Sequence, residues 1–226
     1  MFGHDFLSGY SAKIVEYALA VSYLVLFVGF WRYVQGGKKG AKRVVAVKPA
    51  LSGSWFELPL DVALHPGHTW ARMEPDGMVS VGLDDFGQRL VGAVERVSLP
   101  LERARVEQGE EAVVLEAGGK EIGLLSPVEG EVVARNAGAL EGEPYGAGWL
   151  FKVRPANWKR SRAQLFEGRS AREWMEEQAR ALSARLSPEA VPVLQDGGTP
   201  VAGMAREIDP ENWDEVAREF LRTRAG

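Results

Sequence analysis

The clearest fold signal in this chain of 226 residues lies in residues 111–135, which read EAVVLEAGGKEIGLLSPVEGEVVAR. Short segments of alternating apolar and polar residues predict β-strands, because successive side chains of a strand point to opposite faces. Between the first two segments lies Gly118-Gly119, which suits the central positions of a type I′ turn, where both residues need a positive φ. The stretch therefore predicts a tight hairpin and a third strand, with strands at 111–117, 121–125 and 130–135.

The flanking residues continue this pattern. Pro75-Asp76-Gly77 is a hairpin signal between two alternating segments, and Asp84 or Asp85 is placed to cap a short helix through Leu90. Many short strands at regular spacing with one brief helix predict a mainly β domain, either a small sandwich or a half-barrel. The other strands are predicted at 68–73, 78–83, 93–99 and 149–154.

Composition and charge exclude several classes of function. The chain is 46% hydrophobic and 26% charged, which is typical of a globular protein. Residues 1–50 carry seven basic and two acidic side chains, a net +5, so residues 51–226 carry −9 of the total −4. An acidic body argues against nucleic-acid binding, because phosphates require a basic surface. The absence of cysteine excludes disulfides, thiolate metal sites and cysteine nucleophiles.

The N-terminal region contains an uncharged apolar run from Tyr17 to Trp31, YALAVSYLVLFVGFW. As a helix this run rises only about 22 Å, whereas the hydrocarbon core of a bilayer is roughly 30 Å thick, so a span requires residues 14–34. We predict a single-pass transmembrane helix there, and a basic cluster after it places the bulk of the chain in the cytoplasm. A cleaved signal peptide and a soluble core helix are the alternatives. The anchor residues are Tyr17, Leu24, Phe27 and Trp31, and the basic cluster is Lys38, Lys39, Lys42 and Arg43.

The C-terminal region is predicted to be helical. Ser170 and Glu173 form a capping-box pattern that opens a helix ending at Ser187-Pro188, and Asp209-Pro210 is placed to cap a last helix. Apolar stripes on the two helices predict either packing within the chain or contact with a partner subunit, for which the candidates are Trp174, Trp213 and Phe220. The chain thus divides into a short extracytoplasmic N-terminus (1–13), a transmembrane helix (14–34), a basic linker (35–56), a β domain (57–157) and a helical extension (158–226).

Several motifs of the β domain occur in a specific order and spacing. They are His68-Thr69-Trp70, Val81-Gly82-Leu83, Asp85-Phe86-Gly87-Gln88, Ser126-Pro127-Val128-Glu129-Gly130 and Pro144-Tyr145-Gly146 with Gly148-Trp149-Leu150. Together they resemble the glycine cleavage H-protein family over residues 57–157. The resemblance implies a barrel-sandwich hybrid, a fold of two small sheets related to lipoyl domains.

The resemblance also implies a lipoylated lysine at a hairpin tip, three residues after a glutamate and eight before the proline of Ser-Pro. Counted from Glu116 or from Pro127, that position is Gly119, and Lys120 lies one residue beyond it. A one-residue shift re-aims a strand side chain, so modification should be impaired. The loop between Asn136 and Pro144 is also shorter than the family pattern. We therefore predict no cofactor, with a lipoyl group on Lys120 as the alternative.

No catalytic or metal site is evident in the sequence. The three histidines are His4, His65 and His68, and His4 is expected on the other side of the membrane, so they do not form one metal site. His68 is interpreted as part of the packing of its strand. The sequence predicts a non-enzymatic, membrane-anchored subunit or adaptor of a larger inner-membrane complex, such as one for electron transfer or transport, with membrane lipid and other subunits as partners. The alternative is a membrane-tethered lipoyl carrier that serves a redox enzyme.

Overall fold

The computed structural model describes residues 17–24, 26–28, 30, 55–186 and 202–223. The chain forms two compact units, Met1–Ala46 and Val47–Gly226. In the first unit, residues 17–24, 26–28 and 30 are helical, and large apolar side chains such as Leu19 (67% exposed) and Phe30 (63%) face outward.

Among the described residues, no helix is long and apolar enough to cross a membrane. The transmembrane helix predicted at 14–34 is therefore not found. Several of its positions, Trp31 among them, lie outside the described residues. The same holds for the predicted N-terminus at 1–13 and for most of the basic linker at 35–56.

The second unit is built on two antiparallel sheets. The larger sheet has the strand order β1-β2-β3-β9-β8-β5, and the smaller has the order β4-β6-β7. The bounds are β1 Ala63–Leu64, β2 Thr69–Met73, β3 Val79–Leu83, β4 Arg96–Ser98, β5 Arg105–Val106, β6 Glu111–Ala117, β7 Lys120–Leu125, β8 Gly130–Arg135 and β9 Phe151–Pro155. The prediction of a mainly β domain with two small sheets is confirmed.

The strands follow the predicted alternation where one face is buried. In β6, Val113, Leu115 and Ala117 are buried and the residues between them are partly exposed. All five residues of β3 are buried, because this strand lies inside the larger sheet. The prediction missed β1 and β5, since two-residue strands carry no readable period.

Five helices are described in this unit: α1 Asp85–Val91, α2 Trp158–Arg162, α3 Gly168–Arg185, α4 Met204–Ile208 and α5 Trp213–Leu221. The predicted short helix is confirmed in α1, where the Asp84 carboxylate accepts the Gly87 N–H at 2.7 Å as an N-cap. The helix ends at Gly92, which has a φ of 77°.

Two helix starts differ from the prediction. The helix α3 begins at Gly168, because the Ser170 hydroxyl accepts the Glu167 N–H at 3.2 Å and so closes a capping box rather than opening one. The helix α5 begins at Trp213 instead of Pro210. The Asp209 carboxylate accepts the N–H groups of Glu211 and Asn212 at 3.0 and 2.9 Å, which folds residues 209–212 into a turn before the helix.

The helical extension is part of the same compact unit as the two sheets. The three aromatic residues named as interaction candidates, Trp174, Trp213 and Phe220, are 7%, 4% and 7% exposed and belong to the common core. The intrachain alternative therefore describes their packing, because their apolar surface is already covered by the chain itself.

Candidate functional site

The hairpin between β6 and β7 has the predicted turn. Ala117 pairs with Lys120, and the two residues between them, Gly118 and Gly119, have φ values of 56° and 72°. Both values lie in the region that residues with a side chain adopt only with strain. Lys120 is consequently the first residue of β7 and does not stand at the tip.

The two glycines of the turn face different surroundings. A Cβ atom at Gly119 would have no atom within 4 Å, so this position points into open space. A Cβ atom at Gly118 would lie 3.2 Å from Arg206 Nη2 and 3.6 Å from the Trp213 ring. The Gly118 N–H also donates to the Glu95 carboxylate at 2.9 Å. The turn is thus held on its Gly118 side and open on its Gly119 side.

The side chain of Lys120 is held by the C-terminal region. Its Nζ donates to the Glu211 carbonyl at 2.5 Å and forms an ion pair with the Asp214 carboxylate. The same Nζ lies 6.0 Å from the centre of the Trp213 ring, a cation–π distance. The side chain remains 33% exposed, so α5 covers it on one side rather than enclosing it.

Asp214 extends this contact to a second residue of β7. Its other carboxylate oxygen accepts from Arg218 at 2.6 Å, and Arg218 donates to the Glu121 carbonyl at 2.8 Å. Burial raises the pKa of the Asp214 carboxyl, but the hydrogen bonds from Lys120 and from the backbone, with the charges of Lys120 and Arg218, outweigh it, so the pKa is lowered from its usual value. The first two residues of β7 are thereby tied to α5.

The other end of α5 lies near the far end of β7. The Leu221 carbonyl oxygen is 2.8 Å from where a Cβ of Gly67 would stand, and the Leu125 side chain is 3.4 Å from the same point. The Phe220 ring lies 5.5 Å from Phe86 of α1. The helix α5 therefore runs along β7 from its first residue to its last. Its buried face consists of Trp213, Val216, Ala217, Phe220 and Leu221.

A cleft of about 1050 Å³ lies beside the hairpin tip. Its walls are the end of α1, residues 92–99 and the short loop between Asn136 and Pro144. Glu95 lines the cleft and also accepts from Gly118, so it connects the cleft to the tip. The Asn136 side chain donates to the Ala147 and Trp149 carbonyls at 2.8 and 2.6 Å, which closes this loop.

The two histidines within the described residues belong to the packing. The His68 ring is fully buried, contacts Asp84 at 2.8 Å through Nδ1 and stacks on Phe86 at 4.1 Å, as expected for a residue that packs its strand. Burial, helped by the charge of Arg222 and by His68, lowers the pKa of His65 to about 4. No group of three or more His, Asp or Glu able to hold a metal occurs in the part of the chain that the structure describes.

Two small sheets around one core, with a two-residue hairpin at the edge, define a domain of the barrel-sandwich type that H-proteins and lipoyl domains share. The family model described as "Glycine cleavage H-protein" matches residues 63–178, about half of the chain. The chain therefore belongs to the glycine cleavage H-protein family.

Individual relatives agree with this assignment. The glycine cleavage system H protein of Marinobacter nauticus is 40% identical over 108 residues, which cover 45% of this chain and 82% of the relative. That of Neisseria meningitidis is 36% identical over 106 residues, 44% of this chain and 83% of the relative. A crystal structure of an H protein from Mycobacterium marinum is similar over 54% of this chain and 99% of that chain, with 27% identity and a TM-score of 0.46.

Members of this family carry a lipoyl group on a lysine, and the resemblance places the expected lysine position at Gly119. Gly119 has no amine to acylate, and the nearest amine, that of Lys120, is already bound by Glu211 and Asp214. Sequence reasoning identified Gly119 and Lys120 but missed Glu95, Arg206 and Asp214. The one local signal for any of these residues was the i,i+4 spacing of Asp214 and Arg218. That spacing predicts a pair on one helix face, but it does not indicate which distant residues the pair contacts.

Proposed function

We propose that this chain is a non-catalytic member of the H-protein family that does not carry a lipoyl group. In this proposal it serves as an interaction subunit or adaptor of a membrane complex, such as one for electron transfer or transport. The observation that carries the proposal is the hairpin tip, where glycine occupies the expected lysine position and the adjacent Lys120 is bound to α5.

The contacts of the Lys120 side chain favour its unmodified, charged form. Acylation would convert the charged Nζ into a neutral amide, which cannot form an ion pair with Asp214. The Asp214 side chain is only 12% exposed, and it would keep Arg218 as its one charged partner. Leaving a partly buried carboxylate short of a partner is unfavourable by about 1–3 kcal/mol. A swinging arm would also have to displace α5 from Lys120.

The mass of the native protein tests this proposal. The full chain is purified from lipoate-replete cells, and its intact mass is compared with that of the sequence, with a lipoylated protein from the same cells as the positive control. We expect no lipoyl group. A lipoyl amide at Lys120 in a substantial fraction of the molecules would overturn the proposal.

The adaptor role rests on the apolar N-terminal run and on the β domain, which keeps the fold of the H-protein family. The helical residues 17–24, with their exposed apolar side chains, support contact with a membrane or with a membrane subunit. The measurement is purification of the native protein in mild detergent. We expect other membrane subunits to co-purify, and isolation of a lone monomer would contradict the adaptor role.

The second candidate is a lipoyl carrier modified at Lys120. Membership of the family favours it, as does the 33% exposure of the Lys120 side chain. The same mass measurement separates the two candidates, because only the carrier has the added group.

A further inference from the structure

We propose that α5 is an intramolecular cover of Lys120, so that Lys120 is a latent acyl-acceptor site that becomes reactive when α5 is lifted from the hairpin. The inference rests on the proposed function, in which the native protein is unmodified. It adds a second barrier to modification that is independent of the one-residue shift in the hairpin.

The α5 region contacts the amine of Lys120 directly. Three groups of the α5 region lie on one side of Nζ, namely the Glu211 carbonyl, the Asp214 carboxylate and the Trp213 ring. Each comes from the residues immediately before or within the first turn of α5. An incoming acyl donor must approach Nζ on the side away from the β-strand, which is where these groups lie.

The cover is attached by two kinds of contact. At the start of β7 the attachment is polar, through Lys120, Asp214, Arg218 and the Glu121 carbonyl. Farther along the helix it is apolar, through Phe220 and Leu221. Removing one polar contact at the start of β7 should therefore lift the first turn of α5 from Lys120, while the apolar contacts keep the rest of the helix folded on the domain.

The chemistry that the cover prevents is amide formation. The neutral Lys120 amine attacks the carbonyl carbon of an activated acyl group, such as an N-hydroxysuccinimide ester or an acyl-adenylate. A C–N bond forms, the bond from that carbon to the leaving group breaks, and the surplus proton of the amine passes to solvent. The ion pair with Asp214 must be broken before the nitrogen lone pair is available.

The test measures the acylation rate of individual lysines by peptide mass spectrometry. Unmodified full-length protein is treated with limiting N-hydroxysuccinimide acetate, and Lys120 is compared within the same molecule with Lys159, which is exposed, and with Lys152, which lies 5.3 Å from the Trp149 ring. We expect Lys120 to react roughly tenfold more slowly than Lys159, as a hydrogen-bonded charged group would.

The decisive variant is Asp214→Asn, which keeps the side-chain shape and removes the charge. The Lys120 rate should rise toward that of Lys159, while the Lys159 rate itself stays unchanged. The matched control is Glu219→Gln, which breaks the exposed pair of Arg185 and Glu219 on the same helix without touching the tip. If Asp214→Asn unfolds the domain, Asp214→Ser, which also removes the charged partner of Lys120, serves as the second variant.

The outcomes separate this inference from the proposed function. Equal rates for Lys120 and Lys159 in the unaltered protein, with no effect of either variant, would overturn the cover and leave the proposed function intact. A native lipoyl amide at Lys120, together with slow labelling of unmodified protein and faster labelling in Asp214→Asn, would overturn the proposed function and support the cover.

Discussion

The backbone of the hairpin turn explains why a lysine at position 119 and a lysine at position 120 would differ in their access to an acyl donor. Gly119 combines a φ of 72° with open space on its Cβ side, whereas Lys120 lies in the extended conformation of β7 and faces α5. Two adjacent residues of one turn thus differ in both strain and accessibility. The Gly118-Gly119 turn predicted that Lys120 lies outside the tip, because turn chemistry and alternation along a strand are local properties.

Moving the lysine by one residue should restore a modifiable tip. We expect the double variant Gly119→Lys with Lys120→Ala to be acylated by a lipoate–protein ligase, as detected by intact mass. Its free energy of unfolding should fall by about 1–2 kcal/mol, because lysine at a positive φ is strained.

The matched control for this variant is Gly118→Lys with Lys120→Ala, which places the lysine against Arg206 and Trp213. We expect this control to remain unmodified. If both folded variants stay unmodified, accessibility at the tip does not limit the reaction.

His65 gives a second prediction at the scale of a residue. Its pKa is lowered from 6.5 to about 4, so below pH 6.5 the unfolded chain binds a proton that the folded chain does not. The contribution of neutral His65 to the stability of the fold is fully present above pH 6.5 and decreases as the pH falls toward 4. His65→Asn should remove up to about 3 kcal/mol of this loss. Asparagine retains an acceptor for the Gly67 N–H, which donates to His65 Nδ1 at 3.0 Å.

The measurement is urea unfolding of both proteins between pH 7 and pH 4. The two free energies of unfolding should diverge as the pH falls, with the variant less sensitive. Parallel curves would show that His65 titrates normally in the folded protein.

At the scale of elements, local sequence signals predicted α3 and α5 better than the first residues of these helices, and they missed the five-residue helices α2 and α4. Ser170 was expected to be the first residue of the capping box. It is instead the last residue of the box, because Glu167, three residues earlier, is the N-cap. The start of α5 was expected at Pro210, but Asp209 binds two backbone N–H groups in a turn. In both cases several residues are suitable caps, and the tertiary position of the helix selects one of them.

The attachment of α5 by its apolar face predicts a large effect of Phe220→Ala. Phe220 is 7% exposed and lies 5.5 Å from Phe86, so truncation leaves a cavity in the core and should cost about 3–5 kcal/mol. Thermal unfolding checks this, with Glu219→Gln as the exposed control on the same helix. A cost below about 1 kcal/mol in Phe220→Ala would mean that α5 is not part of the cooperative core.

At the scale of the whole molecule, the chain joins an apolar N-terminal unit to a family domain with a helical extension. We expect the full chain to stay in the membrane pellet after extraction with alkaline carbonate. Leu24→Lys with Phe27→Lys should move it to the supernatant, because each lysine within an apolar span costs about 2.5–3.5 kcal/mol. Release of the unaltered chain by carbonate would contradict the proposed attachment of the N-terminal run to the membrane.

Local sequence patterns predicted the features that depend on neighbouring residues. These are the strand alternation, the Gly118-Gly119 turn, the Asp84 cap and the place of Lys120 directly after the turn. The partners of Lys120, in contrast, follow from the tertiary packing. Asp214 lies 94 residues away along the chain, and no local pattern specifies which distant helix face a side chain will meet. That pairing depends on the burial of Trp213 and Phe220 against the sheets, which is a property of the packed core as a whole.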